Sequence, residues 1–471
     1  MIGLAATMAL GRLLTPKDYG VLAMVSVMTG FIAVFKDGGL SLATVQRAEV
    51  NEAQVSTLFW INIGLGCVGA LIVALLSPVV AWFYGDPALV NVTLAMALPF
   101  ALGSATVQHQ ALLQRQMRFK TIAAIEIASL VISAGAGIWA AAEGLGYWAL
   151  VLMSIVFSFV NVGFVLFCCQ WKPGRPVQGS GVRSMLKFGG ALTANNLLHT
   201  VGGSADKLLL GKFFSADALG LYTRAQTLML QPLIQFMPAL RNVMFPVMSR
   251  LAESPEVLKK TFLNMLRATA FGCSFLAVYI VMGADGLVQV FLGPQWHNAA
   301  GILRLLAGPA FFIPLSSICV VILMVRGESR ALVRWGFWNN VLIIGAIVAG
   351  IAWGPAGVAL ALSLTSVCVL APLLCAITAK AGPASLAEIW RAAGPGVVSL
   401  VCGCVVYLVL HPRLMVVAPF LGLAVALLAD IVLHAILIGV LPAGRMAFAD
   451  AIKIVSHLRA VAPVKSQRAS E

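Results

Sequence analysis

Residues 185–250 read MLKFGGALTANNLLHTVGGSADKLLLGKFFSADALGLYTRAQTLMLQPLIQFMPALRNVMFPVMSR. Two apolar runs carry charges inside them, Asp206 and Lys207 in the first and Arg224 and Arg241 in the second. They are joined by Gly211-Lys212-Phe213-Phe214-Ser215-Ala216-Asp217-Ala218-Leu219-Gly220. The same pattern stands near the start of the chain, in Gly11-Arg12-Leu13-Leu14-Thr15-Pro16-Lys17-Asp18-Tyr19-Gly20. Each segment runs glycine, base, two large apolar residues and a hydroxyl, with glycine again at the tenth position. Residue 185 therefore begins a second copy of whatever begins at residue 1.

What is repeated is membrane-spanning. The chain is 61% hydrophobic and only 10% charged, with a mean hydropathy of +0.97; a soluble domain has about a quarter charged residues. Apolar runs long enough to cross a bilayer recur from end to end. No soluble segment is large enough for an enzyme core. The runs predict fourteen helices, over about 1–14, 19–36, 57–84, 88–112, 121–142, 146–169, 186–211, 218–247, 262–283, 299–325, 332–352, 355–379, 391–410 and 414–441. The first would cover only about 21 Å of a hydrocarbon core about 30 Å thick. Either it is tucked inside the bundle or the chain starts downstream of the full first helix; the second reading, a truncated start, is favoured.

Further echoes fix the size of the repeat. Arg115-Gln116-Met117-Arg118-Phe119-Lys120 is echoed by Arg326-Gly327-Glu328-Ser329-Arg330, and Gly146-Tyr147-Trp148-Ala149-Leu150 by the segment opening at Gly354. Six spans per copy is an even number, so the copies have parallel orientation about an axis along the membrane normal. The expected organisation is an N-lobe over 1–170, a polar linker over 171–184, a C-lobe over 185–380, two extra helices over 381–442 and a tail over 443–471. In the tail, Phe448, Ile452, Val455 and Leu458 share a face, with Lys453 and Arg459 elsewhere, as in an amphipathic helix on a membrane surface.

The net charge of +14 is mostly an orientation signal. Sorting the loops by side puts 23 of the 31 Lys and Arg on one side, which the positive-inside rule makes cytoplasmic, with both termini. Nucleic-acid binding would need clustered bases and stacking aromatics on an exposed domain, and none is expected. The nine cysteines lie in or beside apolar runs without metal-ligand spacing. No metal or cofactor is expected. Gly64-Leu65-Gly66-Cys67-Val68-Gly69 matches a nucleotide-binding pattern but sits mid-span, where small-residue helix packing is the better reading. No phosphate-binding G-x-x-x-x-G-K-[ST] motif occurs.

Ionisable residues inside spans are functional candidates, because burial in lipid is costly. Asn195, His199 and Asp206 share a face of span 7, with Asn196 and Lys207 beside it. Arg224, Gln231, Gln235 and Asn242 form a stripe along span 8, with Arg241 next to it. Such faces predict a water-filled cavity whose outer half Lys17, Lys207, Arg224 and Arg12 make positive. Guanidinium and ammonium groups there suit a phosphate or pyrophosphate, and the amides and His199 suit sugar hydroxyls. The bland alternative is an internal salt bridge of Asp206 with Lys207 or Arg224, which explains one pair but not a stripe. Asp206 or Asp37 suits a coupling H⁺ or Na⁺. Glu126 is a second coupling carboxylate or a helix contact. His109 and His434 read as helix-packing residues, and Pro232, Pro238 and Pro246 as kinks.

Several strings together resemble the polysaccharide-transporter family of the MOP superfamily, the Wzx-like flippases. They are GRLLTPKDYGVLAM at 11–24, LQRQMRFK at 113–120, GYWALV at 146–151, LKFGG at 186–190, ADKLLLGKFFSADALGLYTRA at 205–225 and FPVMSRL at 245–251. The resemblance covers nearly the whole chain in order. It implies a MATE-like fourteen-helix fold of two six-helix lobes forming a V. It implies translocation of an undecaprenyl-diphosphate-linked oligosaccharide across a bacterial inner membrane, ion-coupled and not enzymatic, with polysaccharide polymerase machinery as a partner. A MATE-like exporter of cations or drugs is the alternative. It would want a net negative cleft.

Overall fold

The computed structural model describes residues 2–47, 50–177, 181–414, 419–440, 444–446 and 449. The expected amphipathic tail helix lies outside the described residues. Among the described residues the fold is all-helical, without a strand. In chain order the helices are α1 (Ile2–Leu13), α2 (Pro16–Asp37), α3 (Leu40–Gln46), α4 (Glu52–Tyr84), α5 (Ala88–Ser104), α6 (Val107–Arg115), α7 (Phe119–Ala142) and α8 (Tyr147–Cys168). After the polar linker come α9 (Arg183–Phe213), α10 (Ala216–Arg250), α11 (Pro255–Phe291), α12 (His297–Leu305), α13 (Ala307–Val325) and α14 (Ser329–Gly350). Then α15 (Gly354–Leu364) passes through a π-helical turn at Thr365–Leu370 into α16 (Ala371–Ala381), followed by α17 (Leu386–Leu414) and α18 (Pro419–Val440).

Each expected span coincides with one of these helices or a consecutive pair. The pairs arise where the chain breaks a helix in mid-run. The run predicted at 88–112 breaks between α5 and α6 at Ala105–Thr106, and the run at 299–325 breaks between α12 and α13 at Leu306. The two breaks are again about 200 residues apart, so the repeat holds in backbone as well as in sequence. A third break, not foreseen, separates α2 from α3. Gly38 and Gly39 both take positive φ, 57° and 67°, a conformation without penalty only for glycine.

Ten helical stretches among the described residues are long and apolar enough to cross a bilayer. Their outer faces carry the apolar side chains a lipid-facing surface needs. On α18, Phe420, Leu421, Leu428, Val432 and Ile436 are exposed, while Asp430 and His434 are buried. α9 and α10 are not among the ten. At 31 and 35 residues they are about 46 and 52 Å long, but their charges and amides lower their hydropathy. α10 runs unbroken past Pro232, Pro238 and Pro246.

The chain divides into two compact units. The first comprises Met1–Thr223 and Phe291–Gln295, and so holds α1–α9 with the first two turns of α10. The second comprises Arg224–Val290 and Trp296–Glu471. In the first, Gly66 of the dismissed nucleotide-binding pattern faces Ser104 of α5 so closely that a Cβ would overlap its side chain. That is small-residue helix packing. His109 is buried, its Nδ1 3.1 Å from the Ala105 carbonyl and its ring edge-on to Phe59 and Trp171. It packs helices, as its sequence setting predicted. In the second unit, a core of Phe271, Val278, Met282, Ala426, Leu433 and Leu437 joins α11 to α18.

Candidate functional site

The repeated ten-residue segments build one junction inside the first unit. Thr15 closes the start of α2 with a capping box: the Thr15 amide donates to Asp18 Oδ2 at 2.8 Å, and the Asp18 amide donates to Thr15 Oγ1. Pro16 follows at the first helical position, where its missing N–H is not needed. Ser215 caps α10 in the same place, accepting from the Ala218 amide at 3.2 Å. The first turns of α2 and α10 then cross backbone to backbone. A Cβ on Gly20 would overlap the Ala216 carbonyl, and a Cβ on Gly220 would overlap the Pro16 carbonyl. The tenth-position glycines are there because each copy closes on the other.

The flanks of the junction are polar. The α1 C-terminus is capped by Gln295, whose Nε2 donates to the carbonyls of Gly11 at 2.7 Å and Arg12 at 3.1 Å. Lys212 donates to the Phe83 carbonyl and lies over the Phe83 ring, 4.7 Å from its centroid. Asp206 is buried and accepts from the Tyr222 hydroxyl at 2.8 Å through Oδ2 and from the Lys207 amide at 2.8 Å through Oδ1. Tyr222 is itself fully buried. Asp206 thus ties α9 to the second turn of α10. The sequence reading weighed Lys207 and Arg224 as its partners and missed Tyr222.

The remaining candidates are placed as follows. Arg12, Lys17 and Asn196 are exposed, and Lys207 is half-buried, all in the first unit. Arg224 is half-buried, and Gln231 and Gln235 are exposed along α10 in the second. The side chains of Asn195, His199, Arg241 and Asn242 lie outside the described residues. Glu126 is exposed on α7. Asp37 is half-buried and accepts from Ser41, at 3.0 Å from its amide and 2.7 Å from its hydroxyl, so it caps α3.

Asp37 also adjoins a polar network that sequence reading missed. The broken end of α2 exposes carbonyls, and Asn62 of α4 donates to two of them, Lys36 at 3.3 Å and Asp37 at 3.2 Å. Gln108 donates to Asn62 Oδ1 at 2.9 Å and accepts from Thr44 at 3.0 Å. Asn62 and Gln108 have no exposed surface. Gly39 meets the Gly189 backbone of α9 at the same level. An unwound turn packed among apolar helices needs such partners for its freed carbonyls. The signal was present, as amides inside otherwise apolar runs.

Solved structures share this all-helical fold of long apolar helices with polar breaks. The chain superposes on the lipid II flippase MurJ in an inward closed conformation with a TM-score of 0.71, at 12% identity, over 93% of this chain and 95% of that one. It superposes on an inward-facing multidrug resistance MATE family transporter of the MOP superfamily with a TM-score of 0.59, at 14% identity, over 87% and 95%. These likenesses define the fold: a multi-pass membrane protein with the MurJ and MATE architecture. The chain belongs to the polysaccharide biosynthesis protein family, whose family model matches residues 9–301. Relatives include the teichuronic acid biosynthesis protein TuaB of Bacillus subtilis (strain 168), 27% identical over 69% of this chain and 68% of that protein. The lipopolysaccharide biosynthesis protein WzxC of Escherichia coli (strain K12) is 24% identical over 74% and 71%. The succinoglycan biosynthesis transport protein ExoT of Rhizobium meliloti (strain 1021) is 21% identical over 72% and 69%.

Proposed function

We propose that this chain is a flippase of lipid-linked oligosaccharides, a transporter and not an enzyme. It moves an undecaprenyl-diphosphate-linked repeat unit from the cytoplasmic to the periplasmic leaflet of a bacterial inner membrane. One observation carries the reading. In a bundle whose other long helices are apolar, α9 and α10 keep Lys207, Arg224, Gln231 and Gln235 along their length. Charges and amides at that depth are costly unless the helix faces water or a polar cargo. The family of the chain and the names of TuaB, WzxC and ExoT support a cargo from polysaccharide assembly.

In this reading Arg224, Lys207, Lys17, Arg12 and Arg241 serve the diphosphate along its path, and Gln231, Gln235, Asn242, Asn195, Asn196 and His199 serve the sugars. Residues 1–170 and 185–380 act as two lobes that alternate access, joined by the linker at 171–184, with the helices of 381–442 outside them. Both termini are cytoplasmic. An H⁺ or Na⁺ gradient drives the cycle through Asp206, Asp37 or Glu126, and a polysaccharide polymerase takes the flipped unit.

The test is flipping of a fluorescent undecaprenyl-diphosphate oligosaccharide in proteoliposomes. Arg224→Ala is expected to lower the rate on the order of tenfold or more, the loss of one charge-assisted contact, and Arg224→Lys to restore part of it. Efflux of organic cations without lipid flipping would replace this reading with the MATE-like exporter, whose fold the chain also shares.

A further inference from the structure

α18 is apolar along its whole length except for two ionisable residues, Asp430 and His434, one helical turn apart. Both side chains point into the second unit. Asp430 has no exposed surface, and His434 is 5% exposed. The imidazole is held edge-on by Phe271 and Phe275 of α11, at centroid distances of 5.0 and 5.2 Å. Its Nδ1 lies 2.9 Å from Asp430 Oδ1 and 3.0 Å from the Asp430 carbonyl. Its Nε2 lies 2.9 Å from Ser399 Oγ of α17 and 3.3 Å from Ser274 Oγ of α11.

The burial of both groups and their hydrogen-bond partners together bear on how many protons this arrangement holds. The Ser274 hydroxyl donates to the Phe271 carbonyl at 2.7 Å, so it offers Nε2 a lone pair and not a hydrogen. Nδ1 faces two oxygens that cannot donate unless the carboxyl is protonated. Nε2 also faces the Ser399 hydroxyl, which can give or take the hydrogen, so the ring contacts by themselves fit a neutral or a doubly protonated imidazole. The demand for a further proton comes from the buried carboxylate beside the ring. Apart from the His434 ring, neither carboxylate oxygen of Asp430 has a partner among the described residues. The charge on the ring is what compensates it. A buried carboxylate without hydrogen bonds or an opposite charge is among the most costly groups a core can hold.

We propose that Asp430 and His434 form a proton-binding site, filled when α18 packs on α11 and α17 as it does here, and emptied when that packing loosens. With its one proton beyond neutral imidazole and carboxylate the pair is electrically neutral. On release the Nε2–H bond breaks and the proton passes to solvent. The Ser399 hydroxyl turns to donate to the freed Nε2, and the site carries a net charge of −1 that only water can stabilise. The other titratable or charged groups on the surrounding elements are Glu256, Lys259, Lys260, Arg267, Cys273, Tyr279 and Asp285 on α11, and Glu388, Arg391, Cys402, Cys404, Tyr407, His411 and Arg413 on α17. Tyr279 packs against the core that joins α11 to α18. Arg304 is engaged by Asp285 at 2.6 Å and by the Tyr407 ring. α18 contributes no other ionisable residue. A purely structural polar tie would not need an ionisable carboxyl buried beside the ring.

The test has two arms, and only the second rests on the flippase reading. In the first, purified protein in nanodiscs is unfolded thermally over a series of rising pH values. A proton bound only in the packed state makes stability fall as pH rises through the point where the site empties. The wild type is expected to lose at least a few degrees there, and Asp430→Asn, which needs no compensating proton, to lose that step. Asp430→Asn/His434→Gln, an amide pair able to hydrogen-bond internally, is expected to match it, and serves if the single variant does not fold. In the second arm, lipid flipping is followed with and without an inward proton gradient. Stimulation present in the wild type and absent in Asp430→Asn is expected, with the gradient-free rate kept. The same pH step in wild type and both variants overturns the site. If the wild type shows no flipping at all, the flippase reading fails while the stability arm still decides the proton site.

Discussion

The turn at residues 11–20 and the turn at residues 211–220 follow one pattern, yet only part of each is used alike. Gly20 and Gly220 do the same work, each leaving room for a backbone carbonyl of the other copy's first turn. The first glycines do not. A Cβ on Gly11 would come within 3.1 Å of the Leu292 backbone, whereas on Gly211 it would meet the Tyr84 ring at 2.7 Å. The caps differ too. Thr15 and Asp18 close a full capping box, but position 218 is alanine and Ser215 caps alone. The tenth-position glycines meet each other's copy, while the first glycines and the cap partners each answer to separate neighbours.

The sharpest way to break the comparison is to fill the crossing. Gly20→Ala and Gly220→Ala each force a methyl into a backbone carbonyl that cannot turn aside. Each is expected to destabilise by about 3 kcal/mol or more, as overpacking against fixed atoms does. The two costs should be nearly equal, and the double variant should cost clearly less than their sum, because the first substitution already separates the turns. Gly30→Ala, on α2 with nothing within 4 Å of its Cβ, is the control and is expected to gain up to about 1 kcal/mol. Thermal unfolding of purified protein reads all four. Equal tolerance of alanine at positions 20, 30 and 220 would mean that the turns do not touch.

A smaller effect should separate the first glycines. Gly211→Ala is expected to cost about 1–2 kcal/mol, since the Tyr84 ring must move. Tyr84→Leu should recover most of it in the Gly211→Ala background. Gly11→Ala needs only a few tenths of an ångström from Leu292 and is expected to stay within about 1 kcal/mol, with no rescue from Tyr84→Leu. Equal costs and equal rescue would show that the copies have not diverged here.

The same contrast explains what could be read from the sequence. The helices were legible because lipid demands long apolar runs, and the repeat was legible because glycines, prolines and hydroxyls at helix starts leave fixed spacings. The reason for the tenth-position glycine was not, since it lies in a residue 200 positions away. Asp206 was marked as important by its setting, but its partner Tyr222 was hidden because a tyrosine in an apolar run looks like packing. The break between α2 and α3 was written in Gly38-Gly39, yet its amides, Asn62 and Gln108, come from other helices. Buried polar pairs across helices leave marks at each end but nothing that joins them. Asp430 and His434 show the converse: their spacing of four was visible within one helix, and what stayed hidden was that Ser274 and Ser399 complete the ring's partners from α11 and α17.

The smallest expected effect offers the finest reading of the divergence. Asp18 accepts from the Thr15 amide and hydroxyl at 2.8 and 2.7 Å, so Asp18→Ala removes half of a capping box and should cost about 1 kcal/mol. The reverse substitution asks whether the second copy could still use it. Ser215 is already in cap position, and α10 starts at Ala216 as α2 starts at Pro16. A carboxylate at 218 would reach back to the Ser215 amide and sit in the first turn, where the helix dipole favours negative charge. Ala218→Asp is therefore expected to raise stability by about 0.5 kcal/mol. A gain that disappears in Ser215→Ala would show that the copies share one latent cap geometry. A loss would show that Asp217, already acidic in that turn, repels a second carboxylate, and that the alanine is itself an adaptation of the second copy.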